Sequence, residues 1–225
     1  MTRPPTDPAL LVLADGRFPA GGHAHSGGVE SAVRAGRVGD ARTLEAFCTG
    51  RLHTTGLTAA ALAAAAAGAT DPLVLDHAAE IRTPSPALRA ASRRLGRQLL
   101  RAARAAWPDP ALERLAGAAP GGAHQPVVFG VVAAAAGLSP ADAATAVAYE
   151  SVSGPVTACV RLLGLDPFEA AAVLARLAPP VAAIAREAVA AAATGDVDLL
   201  PTLGAPLLDL AAEDHARWPV RLFAT

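Results

Sequence analysis

The 225-residue chain is 52% hydrophobic and 4% aromatic, and its formal net charge is -1 at pH 7. This charge provides no general attraction to nucleic acid or to an anionic membrane, and so few aromatic side chains leave little surface for base stacking. All nineteen basic residues are arginine, so the chain has no lysine for a GxxxxGK[ST] phosphate-binding loop and is not itself a P-loop NTPase.

The first residues, MTRPPTDPALL, place two prolines where a signal peptide would carry its apolar segment. The longest apolar runs extend over about a dozen residues, whereas a bilayer-spanning helix needs about 20. Cys48 and Cys159 are far apart and outside any CxxC spacing, which favours buried free thiols over a disulfide or a zinc site. We therefore predict a cytoplasmic protein that is not inserted in a membrane.

Helix starts recur along the chain as a capping side chain followed by proline at the first helical position. These pairs are Asp7-Pro8, Asp71-Pro72, Ser85-Pro86, Asp109-Pro110, Ser139-Pro140 and Asp166-Pro167. The glycines placed to end helices are Gly36, Gly137, Gly164 and Gly195. No alternating strand pattern of useful length occurs. We predict an all-α fold, with residues 1–225 forming a single domain of about ten packed helices, several of them short and proline-capped.

Two predicted helices contain residues that disturb regular helical geometry. Thr54-Thr55-Gly56 lies inside the helix that carries Cys48, and Gly154-Pro155 lies inside the helix that starts at Ser139. An internal proline removes one backbone donor and clashes with the preceding turn, so a kink or a break is expected near Ser153.

The helix after Pro86 carries a band of arginines, and no acidic residue occurs between Ile81 and Pro108. The arginines are Arg89, Arg93, Arg94, Arg97, Arg101 and Arg104. Two interpretations stay open: a solvated face of an arginine-biased protein, or a surface that docks on an acidic partner.

The segment from Phe18 to Glu30 reads FPAGGHAHSGGVE and has an unusual composition for this alanine-rich chain. Glycine tolerates positive φ and close approach of backbone, so its four glycines predict a fixed turn. They are Gly21, Gly22, Gly27 and Gly28.

Four polar residues accompany these glycines. His23 and His25 could contribute to a metal site with help from another chain, but two imidazoles are an incomplete ligand set and no third ligand is adjacent. Ser26 is placed to cap the next helix, and Glu30 falls in that helix's first turn, where the helix dipole favours a carboxylate.

The last eleven residues, HARWPVRLFAT, follow the final predicted helix. Trp218, Phe223 and two arginines are side-chain types that protein interfaces favour. Chain ends are loose unless tied down, so we predict flexible segments at residues 1–6 and 216–225, the second of which docks on a partner.

The turn and the tail together resemble the UreF family of urease accessory proteins, and the resemblance extends over nearly the whole chain. The family's Pro-x-Gly-Gly turn and Ser-x-Gly-Leu-Glu motif are matched by Pro19, Gly21, Gly22, Ser26, Gly28 and Glu30, with Val29 in place of leucine. Its closing histidine and Arg-Leu-Phe are matched by His215, Arg221, Leu222 and Phe223. The middle is similar at Arg89, Ser92, Gly96 and Tyr149-Glu150-Ser151. The chain departs from the family at His23 and His25, where aromatic residues are common.

The resemblance implies a dimeric, non-enzymatic chaperone of nickel-urease maturation, with no catalytic residue and no bound cofactor or metal. It implies that the chain bridges the scaffold UreD, called UreH in some species, and the GTPase UreG, which brings nickel to apo-urease. The implied partner-binding residues are Gly21, Gly22, His23, His25, Ser26, Glu30, His215, Arg221, Leu222 and Phe223. The alternative is a metallochaperone that binds nickel directly through His23 and His25.

Overall fold

The computed structural model describes residues 7–68 and 70–223, with the backbone alone at His23. These residues form helices and no β-strand, which confirms the all-α fold and the single domain. The α-helices are α1 (Pro8–Leu13), α2 (Val29–Arg34), α3 (Ala41–Arg51), α4 (Leu57–Ala67), α5 (Pro72–Ile81), α6 (Pro86–Ala106), α7 (Pro110–Ala118), α8 (Gln125–Ala135), α9 (Pro140–Leu163), α10 (Pro167–Ala192) and α11 (Pro206–His215). The predicted flexible segment 1–6 lies outside the described residues.

All six predicted helix starts are confirmed. Each capping residue, from Asp7 of α1 to Asp166 of α10, accepts a hydrogen bond from a backbone N–H of the first helical turn. At α9 the side chains of Ser139 and Asp142 form a reciprocal capping box. The four glycines predicted to end helices have φ between 64° and 79°, the left-handed conformation that terminates a helix.

The core is built from closely packed helices with small side chains. Residues 60–66 of α4 are all buried, and α4 packs against α8, α9 and α10. Gly130 of α8 faces α4 so closely that a Cβ there would overlap the Ala63 carbonyl oxygen and lie 2.6 Å from the Ala66 Cβ. Dispersion contacts between tightly packed backbones thus replace the large side chains that the composition lacks.

The two predicted irregularities meet in the structure. A π-helical turn, Leu52–Gly56, joins α3 and α4 into one continuous helix, so the described residues form ten separate helices. The helix α9 continues through Pro155, and the predicted break near Ser153 is therefore absent. Proline cannot donate to the carbonyl four residues earlier, that of Ser151, and the Arg51 Nε of the neighbouring helix donates to it instead at 3.0 Å.

Helix α10 is the one helix in the described ranges that is long and apolar enough to cross a membrane, by length and composition alone. The length of this apolar helix was not predicted from the longest apolar runs, because Arg176 and the prolines 179 and 180 interrupt its apolar sequence. One face of α10 packs on α9, α4 and α3, and Arg176 pairs with Glu45 of α3 at 2.8 Å. A core helix of a folded domain has the same length and composition.

Candidate partner-docking site

The glycine-rich turn between α1 and α2 has the backbone geometry that the sequence predicts. Gly21, Gly27 and Gly28 have φ of 82°, 61° and 88°. Residues with a Cβ atom rarely adopt this left-handed conformation. Gly22 begins a short 3-10 helix, Gly22–Ala24. A Cβ at Gly21 would overlap the end of the Gln98 side chain of α6, which is flexible and can move, so it is the positive φ that requires glycine there.

The carboxylate of Glu30, on α2, connects this turn to the C-terminal tail. Its Oε2 lies 2.8 Å from Nε2 of His215, the last residue of α11. The backbone N–H of Leu222 donates to Oε1 at 2.8 Å, and that of Phe223 donates to Oε2 at 3.2 Å. Because a carboxylate only accepts hydrogen bonds, Nε2 of His215 carries the proton in this contact.

The electrostatics of this contact favour the ionised carboxylate. Glu30 is 7% exposed and His215 is 2% exposed. Burial by itself would raise the pKa of Glu30, but the hydrogen bonds from Leu222, His215 and Phe223 outweigh it, and the pKa is lowered. The Glu30 charge is thus held inside the protein by three donors, which makes the tail contact a charge-assisted one.

Aromatic packing supports the same contact. The Trp218 ring lies 4.6 Å from the His215 ring, and the Arg34 guanidinium of α2 lies 4.1 Å from the Trp218 centroid. Phe223 is buried, with the Arg161 guanidinium of α9 lying 5.3 Å from its ring centroid. Trp218 is therefore packed against α2, and Phe223 against α9.

Ser26 contributes to this region from inside the turn. It is fully buried, and its Oγ accepts a hydrogen bond from the Glu30 N–H at 3.4 Å. The helix α2 begins at Val29 with Gly28 as its N-cap, so Ser26 caps an N–H of the first turn from two residues ahead of the N-cap position. The prediction that Ser26 is the N-cap was wrong, because Gly28 takes that position, although Ser26 still bonds an N–H of the first turn.

The predicted partner-binding residues divide by exposure. Gly22, Arg221 and Leu222 are exposed, and Gly21 and His25 are half-buried. Ser26, Glu30, His215 and Phe223 are buried within the chain and hold the turn to the tail. Partner binding through these ten residues stays a prediction. The flexibility of residues 216–225 also stays a prediction, although Leu222 and Phe223 are hydrogen-bonded to α2.

The sequence analysis missed an exposed apolar surface on α11, immediately before the tail. Leu207 and Leu210 are exposed on this helix, and Val220 and Leu222 are exposed in the tail that follows. The signal was present in the sequence PLLDLAAEDH, where three leucines fall within the first five positions of the helix. Exposed apolar residues grouped in this way are typical of protein interaction surfaces.

Among the described residues, the fold does not assemble a complete set of metal ligands for the nickel-binding alternative. In the ranges 7–68 and 70–223, no group of three or more histidine, cysteine or acidic side chains could hold a metal ion. The side chain of His23 is outside the described residues, so nickel binding by His23 and His25 stays a prediction. Cys48 and Cys159 are buried, and burial raises their thiol pKa values to about 12 and about 11, as expected for inert thiols.

Within the described part of the chain, three of the six arginines in the band of α6, namely Arg89, Arg93 and Arg104, form ion pairs with acidic residues of other helices. Arg93 bridges Asp76 and Glu80 of α5 at 3.1 and 2.9 Å. Arg104 pairs with Glu113 of α7 at 2.6 Å. These internal pairs favour a structural role for the three paired arginines, and both interpretations stay open for Arg94, Arg97 and Arg101.

The fold and the site together define an all-helical protein whose turn and tail motifs, far apart in the chain, meet at Glu30. The UreF family model matches residues 38–178. The chain is 45% identical over 217 residues to the urease accessory protein UreF of Mycobacterium sp. (strain JLS), covering 96% of this chain and 97% of the relative. It is 44% identical to the proteins of the same name from Mycolicibacterium vanbaalenii, over 220 residues, and Mycobacterium marinum, over 217, with the same coverage.

This chain belongs to the UreF family, as its turn and tail motifs predict. Members of this family are accessory proteins, and the chain is not an enzyme.

Proposed function

We propose that this chain acts in the cytoplasm in the maturation of nickel urease, as a homodimeric adaptor between the scaffold UreD (UreH) and the GTPase UreG, which delivers nickel to apo-urease. Its relatives carry the name urease accessory protein, and the chain lacks the lysine of a phosphate-binding loop, so the nucleotide belongs on a partner. The observation that carries the proposal is the Glu30 carboxylate, which joins the two family motifs into one surface.

The geometry of the tail supports a docking role. The backbone of Leu222 and Phe223 is fixed by Glu30, while the side chains of Arg221 and Leu222 remain exposed. A surface that is ordered before binding loses less conformational entropy when a partner docks. Exposed leucine and arginine in the tail, together with the exposed leucines of α11, supply the anchor chemistry of an interface.

The variant Leu222→Asp tests this proposal by co-purification with the UreD and UreG homologues. Leu222 is 64% exposed, so aspartate should leave the fold intact while placing a charge in the proposed interface. We expect the scaffold to bind at least about tenfold more weakly, equivalent to about 1.4 kcal/mol of binding, so that the complex no longer co-purifies and urease activation falls.

The matched control is Ile81→Asp, because Ile81 on α5 is exposed to 65% and lies outside the proposed surface. This variant should assemble and activate urease normally. Normal assembly by Leu222→Asp, with circular dichroism unchanged in both variants, would refute the docking role of the tail.

Light scattering of the purified protein checks the dimer, which should have twice the mass of the 22.5 kDa chain.

A further inference from the structure

A cavity of about 540 Å³ lies between the glycine-rich turn, the π-helical turn and α9. Apolar side chains, among them Leu13, Phe18 and Phe129, form part of its wall. The polar groups include Arg51, Thr55 and Glu150. An adjoining cavity of about 250 Å³ also contains Arg51 and Thr55 in its wall. This volume and this mixture of apolar walls with few polar groups are typical of small-molecule sites.

The guanidinium of Arg51 has unused hydrogen-bonding capacity at this cavity. Its Nε donates to the Ser151 carbonyl, but neither terminal nitrogen donates to any residue in the ranges 7–68 and 70–223. No carboxylate of the described residues lies within ion-pair distance of it. Desolvation lowers the pKa of Arg51, which is the signature of a cation without a counter-charge. Its planar fork matches a carboxylate, which it can bind through two parallel hydrogen bonds.

The hydroxyl of Thr55 is a second unused group in the same wall. Within the described residues, Thr55 Oγ1 is the one buried side-chain oxygen or nitrogen without a hydrogen-bond partner. A buried hydroxyl without a partner destabilises the folded chain, because its hydrogen bonds to water are lost and not replaced. Thr55 and Arg51 lie four residues apart around the π-helical turn, and both line both cavities. Such turns are frequent at functional sites, because they redirect side chains within a helix.

The charged groups in the cavity wall are compatible with a bound anion, because its two acidic groups are neutralised. Burial raises the pKa of Glu150 to about 7, although a hydrogen bond from Gln125 partly offsets this, so its carboxyl group is largely protonated in slightly acidic solution. Asp15 is already paired with Arg17 at 2.6 Å. The other titratable groups in the wall are His25, Tyr149 and Arg161.

We propose that this cavity is a binding site for a small organic carboxylate. The ligand's carboxylate pairs with the two terminal nitrogens of Arg51 and accepts the hydrogen bond of Thr55, and its apolar body lies against the leucine and phenylalanine side chains. The apolar wall favours an organic carboxylate over inorganic phosphate, which has no apolar part to bury. The wall includes Phe223 of the tail and Gly22 and His25 of the turn. The two groups that bind the carboxylate, Arg51 and Thr55, are not among the proposed partner-binding residues, so the inference does not depend on the urease role.

The test uses the purified full-length chain and benzoate as the probe, titrated at pH 6.5 and followed by ligand-observed NMR. We expect binding with a Kd of about 1 mM or tighter, an affinity within the range that a ligand of this size can reach. Benzamide has the same shape without the charge, and it should bind at least tenfold more weakly. Equal binding of the two ligands, no benzoate binding up to 20 mM, or tighter binding of phosphate would overturn the proposal.

Two variants locate the binding in this cavity. Arg51→Gln should weaken benzoate binding at least tenfold, and Arg42→Gln, an exposed arginine on the same helix, should leave it unchanged. Because Arg51→Gln also removes the donor to Ser151, Thr55→Val provides a test without that loss. We expect Thr55→Val to weaken benzoate binding about threefold to tenfold while the chain keeps or gains stability, since an unsatisfied hydroxyl is removed. Unchanged affinity in Thr55→Val would refute the site.

The pH dependence gives an independent readout. Ionisation of Glu150 places a like charge beside the bound carboxylate, so benzoate affinity should fall by up to about tenfold between pH 6 and pH 8. Glu150→Gln should remove most of this dependence and leave only the contribution of His25 and the other wall groups. A wild-type affinity that is independent of pH, or one that rises over this interval, would contradict the arrangement.

Discussion

At the residue scale, one carboxylate brings together parts of the chain that are 185 to 193 positions apart. Glu30 accepts hydrogen bonds from His215, Leu222 and Phe223, and all three donors approach its two oxygens. Its neutral isostere, glutamine, has one acceptor oxygen and presents an NH₂ group where the second oxygen was, so at least one donor would face another donor. The tail contact therefore needs the charged carboxylate of Glu30, and a neutral side chain of the same size is not sufficient.

We predict that Glu30→Gln detaches the tail while the helical fold persists. Charge-assisted hydrogen bonds contribute about 1.5–3 kcal/mol, so the free energy of unfolding should fall by about 2–3 kcal/mol. Fluorescence of Trp218, measured in a Trp107→Phe background, reports its loss of contact with His215 and Arg34. Glu169→Gln, at an exposed glutamate of α10, is the control and should change neither quantity. Unaltered Trp218 fluorescence in Glu30→Gln would show that Glu30 does not hold the tail.

The same contact should respond to acid in a defined direction. The folded-state pKa of Glu30 is lowered, so its stabilising effect is complete above the ordinary carboxyl pKa of 4.5 and is lost as the pH falls through the lowered value. The Trp218 signal should be constant between pH 7 and pH 5 and should change below that interval. In Glu30→Gln this acid transition should be missing.

At the element scale, close approach of α4 and α8 depends on a residue without a side chain. A Cβ at Gly130 would overlap backbone atoms of α4, which cannot move as a flexible side chain can. Overpacking of this kind typically costs 1–3 kcal/mol. The short distance between α4 and α8 therefore depends on the glycine at position 130.

We predict that Gly130→Ala lowers the free energy of unfolding by about 2–3 kcal/mol, measured by urea denaturation. Gly117 of α7 is the matched control, because a Cβ there meets nothing within 4 Å and its φ is not positive. Gly117→Ala should be neutral or stabilising by up to about 1 kcal/mol through its higher helix propensity. Equal stability of the two variants would mean that α4 and α8 are not in close contact.

Elements with local signals could be predicted from the sequence. A cap such as Ser139 and its proline act on N–H groups within the next three residues, so the six starts could be read without knowledge of the fold. The disturbance at residues 54–56 was also visible, but its π-helical form depends on packing. Gly56 lies against Ser151, and a Cβ at Gly56 would be 2.9 Å from the Ser151 hydroxyl. The length of α10 was missed because apolar run length does not account for arginine and proline inside a helix.

At the scale of the whole molecule, the adaptor and metallochaperone hypotheses differ in where nickel binds. We predict that His23→Ala/His25→Ala changes the nickel stoichiometry of the purified chain little, because an adaptor needs no nickel site of its own and two imidazoles are an incomplete ligand set. Nickel titration by calorimetry measures this. The double variant at His53 and His77, two exposed histidines, controls for weak surface binding. Loss of a tight nickel site in the first variant alone would favour direct nickel carriage.

The sequence by itself determined the helical class, the helix starts and the family, because capping, glycine geometry and motif spacing depend on residues that are close together in the chain. Tertiary structure alone decided which side chains face solvent. It paired the arginines of α6 with acids of α5 and α7, placed Glu30 beneath the tail, and gave the Ser151 carbonyl a donor from α3. These contacts connect distant positions, and their partners are set by how the helices pack, which no local pattern encodes.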